Sequence, residues 1–225
     1  MKRARRLRWT YCLAILCACA PAQAKAAQPN SRAQEVIDRM AARVENDIIL
    51  LSDVRLLSRY QILVDGKSES DARILDRLID QWIVRNEANV ARTPKPSEAE
   101  IDRGVQRLQQ SFDSKDDFDS RRKIAGLSEA DVRRLTADQL YLNNYLDSRF
   151  RASVQVNEQS IEAFYQNALL PRAKARGQSP PTLDAAHDYI QEALVQQGIN
   201  EQADRWLNES RARIHVTKML GENPS

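Results

Sequence analysis

Cysteine is confined to the first twenty residues of this chain, where it occurs as Cys12, Cys17 and Cys19. The remaining residues therefore offer no disulfide framework, thiolate metal site or cysteine nucleophile. Glycine is also scarce, with six in 225 residues, whereas catalytic loops usually need more of this backbone freedom. The chain also lacks a phosphate-binding loop, a dinucleotide fingerprint and a Gly-x-Ser-x-Gly elbow. These absences predict a protein that is not an enzyme and uses no cofactor.

Histidine occurs only as His187 and His215, which are far apart in the sequence. No carboxylate spacing around either histidine resembles a metal site. Two clusters of carboxylates, within residues 98–100 and 116–119, are interpreted as helix starts biased to negative charge. The sequence therefore predicts neither a metal-ligand set nor a catalytic residue.

The first 24 residues have the three parts of an export signal. Five basic residues precede a short apolar run, Trp9–Ala20, and Ala22-Gln23-Ala24 has the small-x-small pattern that signal peptidase cuts. The apolar run is too short to span a bilayer as a stable helix. We therefore predict a signal peptide and a soluble, periplasmic mature form without specific membrane insertion. The alternative is a lipoprotein, because Leu16–Cys19 resembles a lipobox in which Cys19 would be lipidated.

Removal of that signal would change the charge balance. The whole sequence has 34 basic and 31 acidic residues and a net charge of +3, but five of the basic residues and none of the acidic ones lie within residues 1–24. The mature chain would carry 29 basic and 31 acidic residues. The positive charge of the precursor is therefore no indication of nucleic-acid affinity, and we predict no nucleic-acid partner.

The stretch Val36–Tyr60 is the only one in which the spacing of apolar residues changes directly from a period of two to a period near 3.6. Apolar residues alternate with arginines over residues 36–44, which predicts a half-buried strand. The Asn-Asp pair at residues 46–47 tolerates the positive φ of a tight turn, and the apolar run 48–51 predicts a partner strand. The Ser-Asp pair at residues 52–53 is placed to cap a helix. Because a lone hairpin is marginal in water, we expect another strand or a helix to cover it.

The rest of the chain is predicted to be mostly helical. Apolar residues recur at spacings of three and four after residues that can cap a helix. Gly66 is predicted to end the first helix, residues 93–96 to end the second, and Gly198 to break the last. The predicted capping residues are Ser70 or Asp71, Ser97, Ser128, Asn157 and Thr182.

A period of two returns near the C terminus, where Ala212, Ile214 and Val216 alternate with polar residues. We predict that Arg211–Met219 forms a strand that joins the hairpin and completes a small sheet. The predicted fold is mostly α with a small β-sheet, in which an N-terminal β-hairpin and a C-terminal strand clasp a multi-helix core. The predicted organisation is a signal peptide (1–24), a flexible lead-in (25–34), an N-terminal helical domain with the hairpin (35–168), a basic linker (169–181), and C-terminal helices and a strand that pack back on the N-terminal domain (182–220).

Five segments occur in an order that is typical of one protein family. The first, Ala41–Val54, combines a strand, an Asn-Asp turn, a second apolar strand and a Ser-Asp helix start. The others are Leu75–Asp80, Pro96–Asp102, Phe118–Ser128 and Val156–Tyr165. In this order they resemble the N-terminal core domain of the SurA-type periplasmic chaperones.

The chain departs from that family after the helix that contains Phe164 and Tyr165. One or two parvulin-type prolyl isomerase domains usually follow this helix in the family, whereas Leu170-Pro171 here leads within a few residues to Thr182. The resemblance therefore implies the chaperone core without the isomerase. It implies an ATP-independent holdase whose partners are unfolded outer-membrane or secreted proteins.

Two other functions are kept as alternatives. The first is a non-catalytic envelope assembly module that forms a homodimer or binds one dedicated partner. The second is a peptidyl-prolyl isomerase, which the missing parvulin domain argues against. For the chaperone, Tyr60, Ile62 and Leu63 are the candidate client-binding residues, because they lie where the first helix nears its end. The competing interpretation is that these three side chains pack in the core.

Overall fold

The structure is a computed structural model that describes residues 38–220. The predicted signal peptide, the lead-in and the possible lipid attachment at Cys19 lie outside the described residues. The described part is mostly helical with one three-stranded antiparallel sheet, which confirms the predicted fold class. The strands are β1 (Met40–Val44), β2 (Asp47–Leu50) and β3 (Val216–Lys218). The helices are α1 (Leu51–Asp65), α2 (Asp71–Val90), α3 (Glu98–Gln110), α4 (Lys115–Ile124), α5 (Glu129–Phe150), α6 (Glu158–Phe164), α7 (Leu170–Ala175) and α8 (Leu183–Arg211).

The sheet joins the two ends of the described chain, with strand order β2-β1-β3. Val44 of β1 pairs with Val216 of β3, and the Met219 N–H donates to the Ala41 carbonyl at 2.8 Å. The predicted pairing of a C-terminal strand with the hairpin is therefore confirmed. The strand is shorter than the predicted Arg211–Met219, because α8 ends at Arg211 and the chain turns over residues 212–214 before β3 begins.

The hairpin turn differs from the predicted one. Glu45, and not the Asn-Asp pair that follows it, has the positive φ of +51°, a conformation that is uncommon outside glycine, asparagine and aspartate. Two contacts with the C-terminal segment stabilise it. The Glu45 N–H donates to the His215 carbonyl at 2.9 Å, and the Glu45 carboxylate accepts from the His215 N–H at 2.7 Å. Contacts from the far end of the chain thus offset the strain of this turn.

The central element of the core is α2, because its two faces pack on different neighbours. One face, which includes Ile74, Ile79 and Ile83, packs with the sheet and with α1. The other face, which includes Val84 and Ala88, packs with α5 and with the C-terminal half of α8. A helix that is apolar on two faces has to be buried between layers. The sheet, α1, α5 and α8 are therefore arranged around α2.

Local sequence signals determine most helix ends. Gly66 ends α1 in the left-handed conformation, as predicted. The predicted cap at residues 52–53 lies after the observed start of the helix. Helix α1 begins at Leu51, and the Asp53 carboxylate accepts from the Leu50 N–H at 3.0 Å. The acidic residues 98–100 and 116–117 lie in first helical turns, as interpreted. Four predicted caps accept a hydrogen bond from the N–H three residues further on: Ser97, Ser128, Asn157 and Thr182.

Pro171 does not end a helix, although the sequence predicts a linker there. A π-helical turn, Tyr165–Leu169, connects α6 directly to α7. In this turn the Leu170 N–H donates to the Tyr165 carbonyl, five residues back. A proline ring normally clashes with the carbonyl four residues before it. We attribute the continuation of the helix to the wider turn, which changes the carbonyl register just before Pro171.

Gly198 does not break a helix, and α8 runs through it as one helix of 29 residues. A Cβ at this position would lie 2.6 Å from Cγ1 of Val154, a distance that real side chains do not tolerate. The glycine therefore permits α8 to approach the segment that follows α5. The prediction of a break was wrong because close packing, and not chain termination, explains this glycine.

Candidate client-binding groove

A small groove with both apolar and charged lining lies where β2, α1, α2 and α5 meet. Its volume is about 180 Å³, which is below the ~300–1,000 Å³ typical of small-molecule sites. The groove is therefore sized for one or two side chains and not for a cofactor. We call it the hairpin groove, and its apolar lining consists of Ile48, Ile49, Leu56, Leu57, Leu78, Trp82 and Leu135.

The position of β2 at the sheet edge explains why the groove stays open on one side. Successive side chains of a strand point to opposite faces. Ile49 is accordingly 7% exposed in the core, whereas Ile48 is 51% exposed. Within the described range β2 pairs with β1 alone, so no further strand lies along its other edge.

Two consecutive leucines of α1 belong to different parts of the core. Leu57 packs with the cluster around the sheet and α2, whereas Leu56 packs with the cluster that includes α4 and the start of α5. The hairpin groove opens between these clusters, so both leucines remain half-buried. Apolar surface is thus left at the junction of two separately packed regions.

Charged side chains of both signs lie at the rim of the hairpin groove. Arg85 of α2 faces Asp138 of α5 at 3.6 Å, and Arg134 and Asp53 lie nearby. The Trp82 indole N–H donates to the Asp47 carboxylate at 2.8 Å, which holds the ring against the end of β2. A rim of mixed charge gives little preference for the charge of a ligand.

The structure separates the three predicted client-binding residues. Leu63 is 0% exposed and packs with residues such as Phe118 and Val132, so it is a core residue and not an accessible contact. Tyr60 and Ile62 are half-buried against the same cluster, and burial raises the pKa of the Tyr60 hydroxyl. Neither residue lines the hairpin groove. A role of Tyr60 and Ile62 in client binding stays a prediction.

Sequence reasoning missed the residues that do line the groove. It assigned Ile48 to a partner strand but not to the exposed side of that strand. The alternating side-chain directions along the hairpin could have indicated that Ile48 is exposed, because Ile48 and Ile49 have to point to opposite faces. Trp82 lies among the apolar residues of α2, and nothing in the local sequence indicates that its indole is only half-buried.

The histidines have structural contacts. His187 on α8 lies 3.2 Å from Asp188 and 3.2 Å from Glu158 of α6, and these two carboxylates raise the pKa of its imidazole. Residues 38–220 contain no group of three or more His, Cys, Asp or Glu side chains that could hold a metal ion. In the same range, no helix combines the length and the apolar character needed to cross a bilayer.

Comparison with protein-family models and with curated protein sequences finds no match to this chain. The fold and the groove define a mostly helical protein with a small sheet and an accessible groove lined by apolar and charged side chains. The relation to SurA-type chaperones is therefore a resemblance carried by the order of five sequence segments.

Proposed function

We propose that this protein is an exported, ATP-independent chaperone that binds unfolded outer-membrane or secreted proteins and keeps them soluble. The observation that carries the proposal is the hairpin groove, which leaves an apolar lining accessible at the free edge of the sheet. Peptide-recognition sites commonly present apolar side chains in a groove. The export signal and the order of family-like segments in the sequence support the same function.

The dimensions of the hairpin groove favour weak, reversible binding. Burial of one leucine or phenylalanine side chain contributes about 1.5–3 kcal/mol. Ordering an unfolded segment on binding offsets part of this gain. A client can therefore leave once its own folding buries the same side chains, and no nucleotide is needed for release.

The proposal is tested by dilution of an unfolded outer-membrane β-barrel protein out of urea while light scattering follows its aggregation. The mature protein at equimolar ratio is expected to slow the rise in scattering. Ile48→Lys places a charge in the hairpin groove, and edge strands tolerate lysine, so this variant is expected to fold and to protect less. Ile124→Lys is the matched control, because Ile124 is 81% exposed on α4 and lies outside the groove.

Two outcomes would contradict the proposal in different ways. If the mature protein does not slow aggregation, the chaperone function is wrong. If Ile48→Lys protects as well as the parent protein and Ile124→Lys, the function holds but the hairpin groove is not the site. Circular dichroism of both variants verifies that they are folded.

The alternatives predict other results. An envelope assembly module would bind one partner, or a second copy of itself, and would ignore unfolded polypeptides. Size-exclusion chromatography with light scattering and pull-down from an envelope fraction distinguish this case. A prolyl isomerase would accelerate isomerisation of a proline-containing peptide above background.

A further inference from the structure

A second groove lies between the α6–α7 segment and α8. Its volume is about 510 Å³, which is within the ~300–1,000 Å³ range of ligand-binding clefts. We call it the C-terminal groove. Its principal lining residues are Phe164, Leu169, Arg172, Arg176, Pro181 and Tyr189.

The apolar part of the C-terminal groove includes an exposed aromatic ring. Tyr189 of α8 is 70% exposed, although aromatic side chains usually bury most of their surface. Phe164 and Leu169 are half-buried against a small cluster that contains Ile190. The groove therefore presents an aromatic face on α8 opposite the α7 side.

The charge of the C-terminal groove has one sign. Arg172 and Arg176 are its only charged lining residues, and both are exposed. Neither forms a salt bridge with another residue of the range 38–220. The sequence from residue 163 to residue 183 contains no aspartate or glutamate, and Lys174 adds a third positive charge. The complementary ligand is negatively charged.

The distance between the two arginines matches the distance between alternate residues of an extended chain. The Arg176 N–H donates to the Arg172 carbonyl at 3.2 Å, so the two side chains lie one helical turn apart, or about 6 Å along the axis. In an extended strand, residues i and i+2 share one face and lie roughly 6.6 Å apart. Each guanidinium group can bind one carboxylate through two hydrogen bonds.

The backbone around the C-terminal groove is unusual. The π-helical turn Tyr165–Leu169 contributes Leu169 to the lining, and such turns occur frequently at functional sites. The Tyr165 hydroxyl donates to the Pro181 carbonyl at 2.7 Å. This bond ties the turn to the segment before α8, and Pro181 of that segment also lines the groove.

We propose that the C-terminal groove binds an extended polypeptide segment with the pattern acidic–apolar–acidic. The two carboxylates bind Arg172 and Arg176 on the α7 side. The side chain between them points the opposite way and packs on Tyr189 of α8. This site is separate from the hairpin groove and adds a charge preference that the hairpin groove lacks.

The test uses fluorescein-labelled peptides flanked by glycine and serine, with binding followed by fluorescence anisotropy. A Glu-Phe-Glu peptide is expected to bind about tenfold more tightly than Gln-Phe-Gln, because only the first forms charge-assisted pairs. A Glu-Glu-Phe peptide has the same composition but the wrong spacing, and is expected to bind more weakly than Glu-Phe-Glu. Added salt is expected to reduce the difference between the acidic and neutral peptides.

Variants locate the binding site. The double substitution R172Q/R176Q is expected to abolish the preference for Glu-Phe-Glu. The matched control is R103Q/R107Q, which removes two exposed arginines that also lie one turn apart, on α3. This control is expected to retain the preference.

Equal affinity for the acidic and neutral peptides, or an unchanged preference in R172Q/R176Q, would overturn the proposal. A third result would also overturn it: the parent protein binds phosphatidylglycerol vesicles, R172Q/R176Q does not, and neither protein distinguishes the peptides. The groove would then bind lipid headgroups. The two grooves are tested independently. R172Q/R176Q is expected to retain the suppression of aggregation, and Ile48→Lys is expected to retain the binding of Glu-Phe-Glu.

Discussion

Two glycines inside helices set how closely the helices of this protein approach their neighbours. A Cβ at Gly104 of α3 would lie 2.7 Å from Cγ2 of Thr136 on α5, and one at Gly198 would lie 2.6 Å from Cγ1 of Val154. Glycine in the middle of a helix costs about 1 kcal/mol relative to alanine. The close contacts that these positions permit offset that cost.

The contact at Gly198 predicts whether the substitution Gly198→Ala raises or lowers the free energy of unfolding. Helix propensity alone would make Gly198→Ala stabilising by about 1 kcal/mol. The clash with Val154 instead predicts a net loss of about 1–3 kcal/mol, measured by urea unfolding. Val154→Ala removes the methyl groups in the way, so Gly198→Ala in that background is expected to be neutral or stabilising. A stabilising effect in the parent background would show that the segment after α5 moves aside freely.

His187 predicts a pH dependence at the contact between α6 and α8. Asp188 and Glu158 raise its pKa above the ordinary value of 6.5, so the folded state binds the proton more tightly than the unfolded state. The contribution to stability is fully present below the ordinary pKa and is lost as the pH rises through the raised value. An NMR titration is expected to show that Glu158→Gln lowers the pKa of His187. An unchanged titration would mean that Glu158 does not contact the imidazole in solution.

The strand β3 predicts a long-range effect at the level of secondary-structure elements. Val216 is half-buried and pairs with Val44, which is 0% exposed. Val216→Asp places a charge against this part of the core and is expected to lower the melting temperature by several degrees. Thr217→Asp is the control, because Thr217 is exposed in the same strand. Equal melting temperatures for both variants would mean that β3 does not pack on the hairpin in solution.

Elements whose ends depend on neighbouring residues were predictable from the sequence. The caps at Ser97, Ser128 and Thr182 were predicted because each bond joins residues three positions apart. The alternation near Val216 likewise predicted a strand that pairs with the hairpin. Such signals are local, and the fold class follows from them.

Features that depend on distant residues were not predictable in the same way. Gly198 resembles a helix breaker until Val154 is known to lie against it. Glu45 adopts a positive φ because His215 holds it from the other end of the chain. Leu63 is a candidate contact by its place near a helix end, and its packing with Phe118 supports the competing interpretation that it is a core residue. The accessible groove residues were missed for the same reason, since their exposure depends on which tertiary contacts are absent.

At the scale of the whole molecule, α8 connects two regions of unequal size. Its C-terminal half packs with α2 and α5 in the main core. Its N-terminal half packs with α6 around a separate cluster whose buried members are Ile161, Ala186 and Ile190. A region with few buried apolar contacts opens at a lower free energy than the main core. The C-terminal groove lies in this smaller region, where local opening can admit an extended segment.

Hydrogen exchange tests this division. Amides of α6 are expected to exchange faster than those in the middle of α2, because only the small cluster must open. Ile190→Ala removes a side chain that is 0% exposed, at a cost of about 2–5 kcal/mol. This loss is expected to accelerate exchange in α6 while β1 and α2 keep their protection. Ile79→Ala is the contrasting variant, since Ile79 belongs to the main core and its loss is expected to accelerate exchange in β1 and α2 while α6, which exchanges by local opening, is unchanged. Equal acceleration of α6 and β1 by Ile190→Ala would show instead that the chain opens as a single cooperative unit.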